Sequence, residues 1–117
     1  MTLTLDEICI DARDASALGE WWAEVLGWPH DIDDDGDVRL QPPPGQGPPW
    51  IFIAVPDEKV VKNRIHLDFK GPDQQAEVDR VIAMGARHVD IGQTGDESWV
   101  VLADPEGNEF CILAPDD

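Results

Sequence analysis

Three short stretches of this sequence place acids, a histidine and thiols at alternate positions. They are Glu7, Cys9 and Asp11 in EICID, His66, Asp68 and Lys70 in HLDFK, and Glu109 and Cys111 in EFCIL. Alternate residues of an extended strand share a face. Each stretch therefore shows its polar groups on one side and its apolar ones (Ile8 and Ile10, Leu67 and Phe69, Phe110 and Ile112) on the other. Imidazole, carboxylate and thiolate are the donors that divalent ions take, and a histidine beside a carboxylate can move protons. His66 is thus a candidate ligand or general base, or else a polar group bonded to a neighbour. Cys111 is a candidate ligand, or else a small buried hydrophobe whose thiol stays protonated unless a basic partner such as His66 lies beside it. Glu7 is either a cleft residue or a solvated strand end, and Glu109 is either a cleft residue or part of its rim. His30 and His88 have no comparable neighbours and read as surface groups.

The elements that must position these groups are legible as changes of hydrophobic period. After a first strand in LTLDEICIDARD, the segment DASALGEWWAEVLGW places Leu18, Trp22, Val25 and Leu26 on one helical stripe, with Asp14 as N-cap and Gly27 as the residue past the end. Short strands follow in WPHDI, DVRLQP and WIFIAV. The same order then recurs: a strand in NRIHLDFK, a helix in GPDQQAEVDRVIAMGA capped by Asp73 and ended by Gly85, and strands in RHVDIG, SWVVLAD and EFCILA. The helices are expected near 15–26 and 74–84, with Ile8, Ile10, Leu67, Phe110 and Ile112 beneath them. A duplication this small cannot bury a sheet face in each half alone, so the halves should pack together or pair with another copy. Aligning Asp14 with Asp73 brings Glu7 and His66 into equivalence, each seven residues before its cap.

Composition narrows the function. The 117 residues carry 25 acidic and 8 basic side chains, a net charge of −17. That charge opposes binding to nucleic acid or to an anionic membrane. Tyrosine is absent, which excludes a tyrosine nucleophile or acid. Cys9 and Cys111 lie in strand-like runs, which favours reduced thiols in a cytoplasmic protein. The first residues lack the pattern of a signal peptide, and no run is long enough to span a membrane. DIDDDGDVRLQP matches a calcium loop at Asp31, Asp33, Asp35 and Gly36, but Pro42 stands where the closing acid is needed, so a tight hairpin is expected. Lys59, Lys62 and Arg64 form either an anion-binding edge or a seam of salt bridges. PPPGQGPP is either a lid or a stiff connection. Trp21 and Trp22 cannot both face the core of one helix, which leaves one for a second subunit or a ligand.

Taken together, DASALGEWWAEVLGW, KNRIHLDF, AEVDRVIAMGA and DPEGNEFCIL resemble the vicinal oxygen chelate superfamily of glyoxalase I, bleomycin-resistance proteins and extradiol dioxygenases. Within it, the likeness is to the small glyoxalase-like proteins common in actinobacteria. The resemblance implies an α+β fold in a single domain over 1–117. Two βαβββ modules, about 1–57 and about 62–117, would form a curled sheet around a cleft. It implies metal positions on the first and last strand of each module, which here are Glu7, His66 and Cys111. The fourth falls at Phe52 or Ile53, neither of which can bind a metal. The resemblance further implies His66 and Glu109 as catalytic groups, with Cys9, Asp11 and Asp68 lining the cleft. The expected function is a homodimeric small-molecule-binding protein. One form is a metal-assisted lyase, isomerase or dioxygenase using zinc, cobalt or nickel. The other is a metal-free binding or sequestration protein of the bleomycin-resistance type, which the apolar fourth position favours.

Overall fold

The computed structural model describes residues 3–89 and 98–115. Its elements run β1 (Ile8–Ala12), α1 (Ala15–Leu26), β2 (His30–Ile32), β3 (Val38–Leu40), β4 (Trp50–Ala54), β5 (Leu67–Lys70), α2 (Gln74–Ala83), β6 (Arg87–His88), β7 (Val100–Ala103) and β8 (Glu109–Leu113). This is the βαβββ order twice over, in an α+β fold. Residues 90–92 of the RHVDIG stretch lie outside the described residues. The chain divides into two compact units, Met1–Glu58 and Lys59–Asp117.

In the first unit the sheet order is β1-β4-β3-β2, with β1 parallel to β4 and the other pairs antiparallel. Register places Ile8 beside Trp50, and Ile10, Phe52 and Val38 in one row, so these residues share a face. Helix α1 covers that face. Trp22 meets Trp50 at 5.6 Å between ring centroids, and Trp50 also packs on Trp28 and Phe52. Phe52, Val38 and Leu40 are wholly buried. The helix approaches closely because Gly19 has no side chain: a Cβ there would lie 2.5 Å from Val38 Cβ. Asp14 accepts a hydrogen bond from Ala17 N and so satisfies the first turn, while Gly27 takes the left-handed conformation (φ 70°) that ends the helix. Trp22 is buried, and Trp21 is half-buried, edge-on to it.

The β2–β3 connection is the expected hairpin. Asp33 Oδ1 accepts from the N–H groups of Asp35 and Asp37, and Asp37 in turn accepts from Ala54 N. These carboxylates hold the turn itself.

The second unit repeats the sheet as β5-β8-β7-β6, with β5 parallel to β8. Asp73 caps α2 through Ala76 N, and Val78 and Val81 are its buried stripe. Phe110 and Ile112 are buried, and Phe69 packs edge-on to Phe110. Ile8, Ile10 and Leu67 are half-buried, so none of the five expected core-face positions is exposed. Asp104 opens the DPEG turn between β7 and β8. Buried itself, it accepts from Glu106 N and Asn108 N, and the turn closes through Gly107 at φ 89°. That turn sets where β8 starts and hence which face Cys111 takes. No helix among the described residues is long and apolar enough to cross a membrane.

Candidate functional site

Parallel pairing of β5 with β8 sets Asp68 beside Cys111. His66, two residues before Asp68, falls on the same face. His66 Nε2 lies 3.3 Å from Asp68 Oδ1, and one donor atom from each of His66, Asp68 and Cys111 lies within 4.8 Å of every other. His66 and Asp68 are exposed, whereas Cys111 is buried. Burial pushes the Cys111 thiol up to about 11, helped by the charge of Asp68 and a hydrogen bond to it, against a smaller opposing pull from Lys62. At neutral pH the cysteine is therefore a thiol that donates to Asp68, not a free thiolate.

The donor set is N, O and S. A tetrahedral zinc site, with bonds of about 2.0–2.3 Å, needs its donors about 3.3–3.8 Å apart. The His66–Asp68 spacing already meets that requirement, and the 4.8 Å limit on the set requires only a short contraction. Thiolate and imidazole select zinc, cobalt or nickel over magnesium or calcium.

Glu109 and Cys111 share a strand face, but Glu109 has different neighbours. It is buried, and its carboxylate accepts from Lys59 Nζ at 2.7 Å and from Asn63 N at 2.7 Å, while Asn63 Nδ2 donates to the Glu109 carbonyl. Burial alone would raise its pKa. The hydrogen bonds from Lys59 and Asn63, with the charges of Lys59 and Lys62, outweigh that and hold the carboxyl below the usual range. Glu109 thereby fastens the Lys59–Asn63 segment to the start of β8. Lys59 is thus engaged in a salt bridge within its own unit.

In the first unit, Glu7 sits half-buried just before β1. It accepts a weak hydrogen bond from Cys9 Sγ at 3.8 Å and faces Arg39 at 3.4 Å. Cys9 and Asp11 are exposed. Burial, the charge and hydrogen bond of Glu7, and Asp11 all raise the Cys9 thiol. The position equivalent to Cys111 differs from the sequence expectation. Asp68 pairs with Cys111, and in the first unit Cys9 pairs with Ile51, while Phe52 points into the core and Ile53 pairs with Asp11. The apolar fourth position is thus Ile51, not Phe52 or Ile53. Counting from strand ends could not fix it, because it depends on the parallel register.

Asp68, expected only as a cleft residue, is the donor that sequence reading missed. Its signal was the two-residue spacing from His66 within one strand. A cleft in the second unit, about 500 Å³, is lined by Lys59, Lys62, Arg87, His88, Glu106 and Glu109 among others, and not by His66, Asp68 or Cys111. The donor set is therefore an open surface cluster on the sheet and is separate from that cleft.

The same folding pattern is found in known proteins. The glyoxalase-like domain family matches residues 7–113. No curated protein matches the chain. Among solved structures, a glyoxalase/bleomycin resistance protein/dioxygenase family enzyme from Burkholderia phytofirmans PsJN is 22% identical, with a TM-score of 0.72 over 94% of this chain and 98% of that one. The fosfomycin resistance protein FosX from Listeria monocytogenes, complexed with Mn(II) and sulfate, is 13% identical with a TM-score of 0.74, covering 97% and 91%. A hypothetical protein from S. aureus is 16% identical with a TM-score of 0.67, covering 97% and 98%. At these identities the structures establish a shared fold, and the family match covers most of the sequence. The chain belongs to the glyoxalase-like domain family, and it shares its fold with structures from the glyoxalase/bleomycin resistance/dioxygenase group.

Proposed function

We propose that this chain binds a small molecule over the polar face of β5 and β8, next to a zinc, cobalt or nickel ion held by His66, Asp68 and Cys111. The observation that carries the reading is the convergence of three different donor types within 4.8 Å on two paired strands. Such an ion would polarise an oxygen of the bound molecule, as lyase or isomerase chemistry can use. The chain's own residues supply the rest. Asp68 orients His66, and Cys111 must give up its proton before it can act as a ligand. Of the two expected catalytic groups, His66 stands in the donor set as a ligand. Glu109 is held as an anion by Lys59 and Asn63, so its part is to anchor the strand that carries Cys111. A homodimer in the cytoplasm is part of the same proposal, supported by the half-buried Trp21 and the two unpaired thiols.

The second reading is metal-free binding or sequestration. It is favoured by Ile51 at the fourth position and by the protonated Cys111 thiol. Calorimetric titration of the metal-stripped protein separates the two. Submicromolar affinity for zinc, cobalt or nickel, abolished in His66→Ala, is expected. Affinity should also rise by about tenfold per pH unit while the thiol is the one group that must lose its proton. No binding, or binding that survives His66→Ala, would leave the metal-free reading in place.

A further inference from the structure

The chain has far more carboxylates than cations, so its basic side chains have ample partners. Arg13 pairs with Glu58, Arg39 with Glu7, Lys59 with Glu109 and Arg80 with Glu77. Lys62 and Arg87 form no ion pair among the described residues, and both border the cleft of about 500 Å³ in the second unit. Lys62 makes only a long contact, 3.3 Å, to the Asn63 carbonyl. The Arg87 guanidinium reaches over the DPEG turn, 3.5 Å from where a Cβ of Gly107 would stand, and His88 borders the same space. Two carboxylates also line the cleft. Glu109 is neutralised by Lys59 and by Asn63 N–H, and Glu106 is the other carboxylate beside Lys62 and Arg87 in the lining. Val60, Val61, Val89, Ala103 and Gly107 complete the lining, and the cleft is open to solvent.

From this we infer that the cleft is a binding site for a small oxyanion group, a carboxylate or phosphate on a small molecule, held by Arg87 and Lys62. Arginine suits the task because its planar fork matches two oxygens of one anion, while lysine adds a point charge. The net charge of −17 excludes polyanions by long-range repulsion, so only a compact ligand can use these cations. The site stands with or without a metal at His66, Asp68 and Cys111, none of which borders it.

The test uses the metal-stripped protein at low ionic strength, with inorganic phosphate and malonate as separate probes and backbone amide chemical shifts as the readout. A saturable shift at Arg87, His88 and Gly107 with at least one probe is expected, and the better probe distinguishes phosphate from carboxylate. Arg87→Gln and Lys62→Gln should each weaken it by about tenfold or more, since each removes a charge-assisted contact. Arg13→Gln, in the other unit, should leave it unchanged. The spectra report folding of each variant directly. No saturable response to either anion, or equal binding by wild type and Arg87→Gln, would overturn the inference.

Discussion

The two halves of this chain share a backbone plan but differ in chemistry. Both order their sheets as first, fourth, third and second strand, both pair the first and last strands in parallel, and both cap their helix with aspartate. At equivalent places the first unit carries Glu7, Cys9 and Ile51, and the second His66, Asp68 and Cys111. In the first, Glu7 turns to Arg39 and Cys9, and an isoleucine replaces the third donor. In the second, the same geometry gathers three donors. The repeat supplies positions in space, and the residue type at each decides whether a position becomes part of a core, a structural clasp or a site.

The cores differ as well, and that difference predicts the largest effect. The first unit centres on aromatic packing around the fully buried Phe52. Phe52→Ala should cost about 3–5 kcal/mol in chemical denaturation, because both the transfer of the ring and the cavity left behind count against the fold. A loss below that range would show that the aromatic cluster collapses around the gap, and would weaken the contrast between the cores.

A smaller effect sharpens the helix comparison. Gly19 of α1 aligns, from the caps, with Val78 of α2, which is buried. The first helix needs a bare backbone against Val38, and the second accommodates a side chain. Gly19→Ala should destabilise by about 1–3 kcal/mol through overpacking. If the variant were as stable as wild type, the close approach of α1 would not be a requirement of the fold.

Next comes the clasp that only the second unit has. Pro49 precedes β4 where Glu109 begins β8, so the first unit lacks an equivalent carboxylate. Glu109→Gln should cost about 1–3 kcal/mol, the range for hydrogen bonds to a charged group. The pH dependence has a definite sign. The folded pKa of Glu109 lies below its ordinary value, so the folded state holds this proton more weakly than the unfolded chain. Its contribution is present above the unfolded pKa and is lost as pH falls through the folded one. Stability measured from neutral to acid pH should therefore fall less steeply in Glu109→Gln than in wild type. Parallel curves would show that the Lys59 and Asn63 contacts add nothing.

The smallest effect belongs to the first unit's exposed pair. Arg39→Met removes the contact with Glu7 and should change stability by less than about 1 kcal/mol, as solvent-exposed ion pairs do. A larger loss would mean that Glu7 is a structural anchor, as Glu109 is in the second unit.

Much of this was legible in the sequence because it is local. Asp14, Asp73, Gly27 and Gly85 mark helix ends through chemistry confined to one turn, and strand alternation separates Ile8 and Ile10 from Cys9 and Asp11. What depended on long-range pairing was not legible. The β1–β4 register, which makes Ile51 the partner of Cys9, is set by contacts between distant segments. Glu109 was expected at the cleft face, but its partner Lys59 lies 50 residues away in sequence. The membership of Asp68 in the donor set required the β5–β8 register as well as the alternation.

The most direct test of the contrast between the halves is cobalt(II) spectroscopy of the metal-stripped protein, comparing Cys111→Ala with Cys9→Ala. A bound thiolate gives cobalt a sulfur-to-metal charge-transfer band, so the spectrum identifies which cysteine is a ligand. The account predicts the band in wild type and in Cys9→Ala, and its loss in Cys111→Ala. A band that survives Cys111→Ala, or a wild-type protein that gives none, would contradict the placement of the donor set in the second unit.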